Sequence, residues 1–393
     1  MPRKVNVIGV GMVPFAKPGK SEEYHVMARK AGEAALADAK IPFTEVQQAF
    51  AGYVYGDSTC GQRAVYQLGQ TGIPVFNVNN NCSTGSSALM LGAQAVAGGM
   101  AECVFVVGFE QMEAGALQAK WTDRANPLDK FVNVMNEEQG FNQAPPAAQM
   151  FGGAGREYRW KHGTKRETFA KISEKARKHA AKNPFALFRD VLSVEQILAS
   201  EDVFDPLTRF QCCPPTCGAA AAILCSDDFA TRKGLKPVVH IAGQVMTTDF
   251  ASSFDGHSMM KMIGYDMAKA CATQLYEKTG TGPKDAQVVE LHDCFTANEL
   301  LTYEAIGLCP EGGAEKFIEE NDNTYGGKFV VNPSGGLLSK GHPLGATGLA
   351  QCTELVWHLR GQAGDRQVEN AKVAIQHNLG LGGACVMTMY KRN

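Results

Sequence analysis

Two cysteines and two histidines stand out as groups placed to do chemistry. Cys82 follows an apolar stretch, Val75, Phe76 and Val78, and a turn of three asparagines, Asn79, Asn80 and Asn81. Ser83, Thr84, Gly85, Ser86 and Ser87 come straight after it and open a small-residue helix through Ala93. The pattern predicts a buried strand, a turn and a helix, with one thiol at the helix start. Free backbone N–H groups and the helix dipole favour negative charge there. A thiol so placed is expected to ionise easily, and only the thiolate is a good nucleophile. These residues alone leave open a buried structural cysteine, a common fate of free cysteine. His342 lies in Gly341-His342-Pro343 and opens a second predicted helix, residues 344–359. Cys294 follows the apolar run 288–291, so it stands at a strand end, where active sites of α/β sheets gather, with His292 two residues before it.

A repeated α/β pattern has to position these groups. In the first half, strands are expected at residues 5–10, 49–55, 75–78, 103–107 and 218–225, and an amphipathic helix at 25–39. The second half runs in the same order, with strands at 238–245, 288–291, 329–331, 373–376 and 384–390 and a helix at 266–278. The helix after His342 takes the place of the helix after Cys82. Gly380-Leu381-Gly382-Gly383 joins the last two strands of the second half. About a hundred residues separate their first-half counterparts, far more than an ordinary connection. That stretch is more polar and charged, with helices expected over 157–182 around a turn at His162-Gly163, and it reads as an insertion. The expected division is a first core half of residues 1–111 plus 213–236, an inserted lobe of 112–212, and a second core half of 237–393. Packing the halves together brings the two helix starts, at Cys82 and His342, near each other.

Composition narrows the function classes. With 45% hydrophobic and 20% charged residues the chain suits an ordinary folded protein. Its formal charge of −2 gives no general attraction to nucleic acid or anionic membrane. No apolar run reaches the length of a membrane helix. The start, Met1-Pro2-Arg3-Lys4, leads directly into a strand and is no secretory signal. Twelve cysteines lie scattered without framework spacing, which suggests a reducing, intracellular setting. Cys212, Cys213 and Cys217 are close in sequence, but no second ligand pair sits at finger or ribbon spacing, so no metal is expected.

Taken together, Asn81-Cys82-Ser83-Thr84-Gly85, Gly341-His342-Pro343-Leu344-Gly345 and the closing glycine hairpin resemble the thiolase superfamily. His292-Asp293-Cys294-Phe295 is most similar to the thiolase domain of the sterol carrier protein x type. The likeness runs over almost the whole chain, taking in Gly56-Asp57-Ser58-Thr59-Cys60-Gly61-Gln62-Arg63 and Asn332-Pro333-Ser334-Gly335-Gly336. It implies the thiolase fold: two duplicated βαβαβαββ halves forming a layered α/β/α/β/α core, with an inserted loop lobe. It implies a degradative 3-ketoacyl-CoA thiolase. Such an enzyme cleaves 3-oxoacyl-CoA with CoA as co-substrate, through an acyl-cysteine, and holds no permanent cofactor. Branched or sterol-side-chain substrates, releasing acetyl-CoA or propionyl-CoA, are implied among its reactions.

The resemblance also assigns roles. Cys82 becomes the nucleophile and His342 the group that takes its proton. Mainstream thiolases carry Asn-Glu-Ala-Phe where this chain has His292-Asp293-Cys294-Phe295, and a second cysteine where it has Asn378. An amide cannot shuttle a proton, so Cys294 inherits the acid/base role and His292 donates to the first oxyanion. The backbone N–H groups of Cys82 and Gly380 are expected to form the second oxyanion hole, with Asn378 and His377 supporting the hairpin. Met150 and Phe151 resemble the lobe segment that lines the acyl channel. The lobe resembles a CoA-binding cover, and its basic residues Lys161, Lys165, Arg166, Lys171, Lys175, Arg177, Lys178 and Lys182 are candidates for the CoA phosphates, with a solvated helix face as the alternative. Implied partners are acyl-CoA, CoA and a second copy in a homodimer. A peroxisomal location and a following lipid-carrier domain are also implied, although Lys391-Arg392-Asn393 is not a Ser-Lys-Leu-type signal. A ketoacyl synthase-like condensing enzyme and a non-catalytic acyl-CoA or lipid binder are the competing readings.

Overall fold

A computed structural model describes residues 3–115 and 119–393, so Met1 and Pro2, and three positions inside the expected lobe, lie outside the described residues. The strands are β1 (Val5–Met12), β2 (Gln48–Gly52), β3 (Val75–Val78), β4 (Cys103–Glu110), β5 (Asp202–Phe204), β6 (Leu207–Thr208), β7 (Gly218–Ser226), β8 (Val239–Thr247), β9 (Val288–Glu290), β10 (Val330–Val331), β11 (Val373–Gly380) and β12 (Ala384–Arg392). Apart from the small β5-β6 hairpin they form one sheet, ordered β10-β9-β11-β12-β8-β1-β7-β4-β2-β3.

Reading outward from the centre, the halves match strand for strand. β1, β7 and β4 pair antiparallel, and β2 and β3 then continue parallel to β4. β8, β12 and β11 likewise pair antiparallel, with β9 and β10 parallel beyond them. Val5 to Val7 of β1 join Ile241 to Val239 of β8, which makes the two half-sheets continuous. The duplication expected from element order is therefore present in strand order and direction.

Two helices, Thr84–Ala97 and Leu344–Arg360, pack on each other and on strands of both halves. Every residue from Leu344 to Val356 is buried. A helix with no polar stripe, rich in Gly, Ala, Leu and Thr, belongs in the middle of a protein. Helix Tyr24–Ala39 covers β1 and β7 on one outer side, and Tyr265–Thr279 covers β8 and β12 on the other. These are the five layers of the expected architecture.

Between β4 and β7 the chain forms helices Asp129–Gln139, Pro146–His162, Arg166–Ala180 and Val194–Leu198 before the β5-β6 hairpin. Gly163, in the left-handed region, ends the second of them at the expected turn. Two short helices of the second half, Ser252–Asp255 and Met259–Met262, pack on this group. In the second half β11 turns into β12 through Leu381, Gly382 and Gly383 alone.

One expectation is corrected. β3 is not buried: it is the edge of the sheet, its four residues are exposed or half-exposed, and Phe76 is 46% exposed. The apolar run reflects a covered β2 side, where Phe76 stacks on Phe50 at 5.1 Å, rather than burial on both faces. The buried helix Thr296–Ala305, directly after Cys294, was not foreseen.

Candidate active site

The turn after β3 is locked by its own side chains. Asn81 takes a left-handed conformation, φ 50°, which asparagine tolerates better than most residues. The Thr84 hydroxyl accepts from Asn80 N–H at 2.8 Å and donates to Asn81 C=O at 2.6 Å, while Ser83 donates to Asn80 C=O at 2.8 Å. Asn81 Nδ2 reaches Leu381 C=O at 2.7 Å and ties the turn to the β11-β12 hairpin. Helix Thr84–Ala97 starts two residues after Cys82, which is half-buried.

The thiol does not ionise easily, contrary to expectation. Burial and the nearby Glu110 carboxylate push it up to about 12, outweighing the backbone N–H groups of Cys82 and Leu381 that favour its anion. Desolvation of a charge exceeds what a helix end supplies. The resting nucleophile is a neutral thiol and needs a base.

That base is brought by a close approach of the two central helices. A β-carbon on Gly345 would fall 2.4 Å from Phe109 C=O and 2.7 Å from Gly52 C=O, and one on Gly85 would fall 2.8 Å from Gly345 C=O. Side chains at these positions would hold the helix starts apart. His342 precedes the second helix, its N–H donating to Thr216 Oγ1 at 3.1 Å. Its Nδ1 lies 2.7 Å from Thr347 Oγ1, and that hydroxyl donates to Pro343 C=O at 3.0 Å. Because the threonine proton is committed, Nδ1 carries the imidazole hydrogen and Nε2 keeps its lone pair. Nε2 has no protein partner among the described residues. Burial pushes His342 down to about 3, so the ring is neutral and able to accept a proton.

His292 stands edge-to-face with His342, ring centroids 5.0 Å apart and planes at 83°. Cys82 Sγ and one nitrogen from each ring lie within 4.8 Å of one another. A chain of hydrogen bonds orients His292. Gln376 Nε2 donates to Ser86 Oγ at 2.8 Å, Ser86 donates to Asn378 Oδ1 at 2.8 Å, and Asn378 Nδ2 reaches Cys82 C=O and His292 Nδ1, both at 3.1 Å. His292 Nδ1 is therefore the acceptor and Nε2 carries the hydrogen. Burial, then the neighbouring His342 and His377, hold this ring well below the usual histidine range. His377 is buried behind it, its Nδ1 3.4 Å from His292 N–H. Gly380 packs on the Cys82 turn, where a β-carbon would fall 2.4 Å from Asn80 C=O.

Cys294 is 4% exposed, and its thiol is pushed well up by burial, then by Cys213, Cys82 and Asp293. Asp293 is buried and accepts from Leu337 N–H at 2.7 Å. Cys213 N–H donates to Cys294 C=O at 2.8 Å and Cys212 pairs with Phe295, so Cys213 runs alongside the site. The cysteines examined for zinc diverge: Cys212 Sγ turns to Thr208 C=O and Cys217 Sγ to Met112 C=O. All twelve cysteines are free.

Phe151 stacks on Phe295 at 4.9 Å, next to Cys294, and Met150 beside it is 1% exposed. The eight basic residues singled out in the lobe each have a partner, several of them in solvent-exposed ion pairs. Lys161 pairs with Glu311, Lys165 and Lys171 with Glu319, Arg166 with Asp202, Lys175 with Glu299 and Lys178 with Glu174. Arg177 lies over Phe188 and Phe210, and Lys182 over Tyr325. A cleft of about 520 Å³ instead opens over Asn81 and Gly380–Leu381, with Lys120, Trp121 and Arg124 along its other side. Thr347, Glu110 and Cys213 were missed from sequence. Thr347, five residues after His342 in the same helix start, was the one that helical spacing could have suggested.

Residues 5–228 match the thiolase N-terminal domain and residues 251–390 the thiolase C-terminal domain-like family. The chain belongs to the thiolase family of acyltransferases. Among its relatives is sterol carrier protein 2 of Oryctolagus cuniculus, 59% identical over 392 residues, which are 99% of this chain and 72% of that protein. Similar solved structures include the Ltp2-ChsH2(DUF35) aldolase, with a TM-score of 0.83 at 23% identity over 100% of this chain and 98% of that one. Human mitochondrial 3-ketoacyl-CoA thiolase in complex with CoA gives a TM-score of 0.76 at 19% identity, again over 100% and 98%. At these identities the two structures speak for the fold.

Proposed function

We propose that this chain is a degradative 3-ketoacyl-CoA thiolase that uses CoA as co-substrate. The observation that carries the reading is the convergence of Cys82 Sγ with His292 and His342 within 4.8 Å. His342 Nε2 takes the thiol proton, and Cys82 attacks the 3-keto carbon. His292 Nε2–H donates to the oxygen that becomes negative. The bond between carbons 2 and 3 breaks, Cys294 protonates the departing enolate, and acetyl-CoA or propionyl-CoA leaves. The Cys294 thiolate then takes the proton of incoming CoA, whose sulfur attacks the acyl-Cys82 thioester; the acyl–sulfur bond to Cys82 breaks, the shortened acyl-CoA leaves, and the Cys82 thiolate recovers its proton from His342. The backbone N–H groups of Cys82 and Gly380 serve the second oxyanion, in keeping with the packing of Gly380 on the Cys82 turn.

Several finer parts belong to the same reading. The cleft beside Asn81 and Leu381 admits CoA, and Lys120 and Arg124 on its lining, exposed and paired with Glu113 and Asp123, are the cations available to its phosphates. Phe151 and Met150 form part of the acyl wall, supported by the stack of Phe151 on Phe295. Branched or sterol-side-chain acyl groups and a peroxisomal setting rest on the resemblance of His292-Asp293-Cys294-Phe295 to the sterol carrier protein x type; the name of the sterol carrier protein 2 relative supports only a sterol-related ligand. The lipid-carrier domain rests on the sequence resemblance; the sterol carrier protein 2 relative is longer than the matched part, which leaves room for such a segment in that protein. A homodimer through β3 is supported by the exposed edge and its apolar neighbours Tyr66, Phe76 and Leu91. The division into 1–111 plus 213–236, 112–212 and 237–393 is supported by the matching strand orders.

The test is CoA-dependent loss of acetoacetyl-CoA absorbance, repeated with a longer branched 3-oxoacyl-CoA; no loss with either overturns the proposal. A condensing-enzyme reading is favoured by one observation, the Cys82-His292-His342 triad, which a ketoacyl synthase shares. Cys294→Ala separates the two, since it abolishes thiolysis and spares condensation.

A further inference from the structure

Glu110 is 1% exposed at the end of β4 and has no salt-bridge partner among the described residues. Its carboxylate is spent on backbone N–H groups from two directions. Oε1 accepts from Tyr55 N–H at 2.9 Å, and Oε2 accepts from Val54 N–H at 3.1 Å and from Gly345 N–H at 3.0 Å. Val54 and Tyr55 follow β2 in the first half. Gly345 is the second residue of helix Leu344–Arg360 in the other half, three residues after His342. Nothing in the local pairing of β4 requires this acid, because the backbone of Glu110 is already in register with Gly218 of β7.

Resting on the assignment of Cys82 and His342 above, we infer that Glu110 is a positioning residue: its buried carboxylate clamps the start of the His342 helix onto the loop after β2 and so holds His342 within reach of Cys82. An anion is well suited to that place, since the first N–H groups of a helix have no partner within the helix. Burial raises the carboxyl to about 7, and the three N–H groups restrain the rise. The same charge opposes ionisation of Cys82. Of the other titratable groups around that sulfur, Cys213 and Cys294 are thiols held neutral by burial, and His292 and His342 are neutral rings. With its carboxyl raised to about 7, Glu110 supplies the negative charge that Cys82 feels as the pH rises above neutrality.

Two full-chain variants separate the arm from the charge. Glu110→Asp keeps the charge but falls one methylene short of Gly345. Glu110→Gln keeps the length but loses the charge. The readouts are kcat and KM for thiolysis, and the pH profile of Cys82 alkylation by iodoacetamide, followed on the Cys82 peptide by mass spectrometry. For Glu110→Asp, kcat is expected to fall about tenfold with KM nearly unchanged and the alkylation profile in place. For Glu110→Gln, the profile is expected to move down by about half a pH unit or more. Wild-type kcat in Glu110→Asp, or an unmoved profile in Glu110→Gln, overturns the inference. A role confined to stability would lower yield and leave both readouts alone. If Glu110→Gln does not fold, the kcat and KM of Glu110→Asp decide. Should the unmutated protein not turn over, the site assignment fails, and the alkylation profiles still test the coupling of Glu110 to Cys82 separately.

Discussion

Asn378 donates its amide to Nδ1 of His292 at 3.1 Å, from the hairpin position where mainstream thiolases hold a second cysteine. The residue that cannot carry a proton instead decides which nitrogen of its neighbour carries one. With Nδ1 accepting, Nε2–H is the donor aimed at the site. Asn378→Asp would reverse this, because a carboxylate accepts from Nδ1–H and leaves Nε2 a lone pair. Steady-state kinetics should show kcat lowered by about 10²-fold or more with KM little changed, the loss typical of one oxyanion donor. An active Asn378→Asp enzyme would show that the His292 tautomer does not matter.

Thr347 plays the matching part for His342. Thr347→Val keeps the shape and removes the oxygen that holds Nδ1–H at 2.7 Å. A lost hydrogen bond of about 1 kcal/mol, plus the freed tautomer, should lower kcat by about 5–20-fold. Unfolding in urea should show a loss of about 1–3 kcal/mol, the cost of leaving a buried imidazole N–H without its partner. Stopped assays across substrate concentration distinguish this from a binding defect.

The approach of the two helices predicts a stability effect. A β-carbon on Gly348 would fall 2.2 Å from Ser86 N and 2.8 Å from Asn378 Oδ1. Gly348→Ala therefore forces apart backbone that cannot move cheaply, and should cost about 1–3 kcal/mol or more in urea unfolding. It should also reduce turnover, because Ser86 and Asn378 belong to the chain that orients His292.

The ionisation of Cys82 gives a prediction in pH. Burial and Glu110 raise the thiol to about 12, so the thiolate fraction grows throughout the accessible range. Alkylation of Cys82 in the free protein should climb about tenfold per pH unit from 7 to 10 without levelling off. The sign for stability follows from the same shift. The folded state holds this proton more tightly than the unfolded chain, so that contribution is present below the ordinary thiol range and is lost as pH rises toward 12. A plateau in alkylation near pH 7 would mean a pre-formed thiolate and would contradict the need for His342 as base.

Much of this site was legible in the chain because its motifs are local. The turn before Cys82, the Gly-His-Pro helix start and the strand ending in His292 and Cys294 are each written in a few adjacent residues, and the repeat told which helix starts should meet. What could not be read depends on neighbours remote in sequence. The raised Cys82 thiol comes from desolvation and from Glu110, 28 positions away and reached through a different strand. The exposure of β3 depends on its place at the sheet edge, which its apolar letters do not encode. The lobe's cations read one by one as a solvated helix face with some candidates for phosphate, and the letters do not tell their partners, which run from Asp202 and Phe210 within the lobe to Glu299, Glu311, Glu319 and Tyr325 in the second half.

In this site one sulfur, Cys82, is assigned the acyl group, while Cys294 and Cys213 beside it only exchange protons or pack. Acid-quenching the protein during turnover of a 3-oxoacyl-CoA with limiting CoA, then mapping the peptides by mass spectrometry, tests this directly. An acyl thioester is expected on Cys82 alone, gone after excess CoA is added. An adduct on Cys294 or Cys213, or a CoA-dependent cleavage that proceeds in Cys82→Ala, would contradict it.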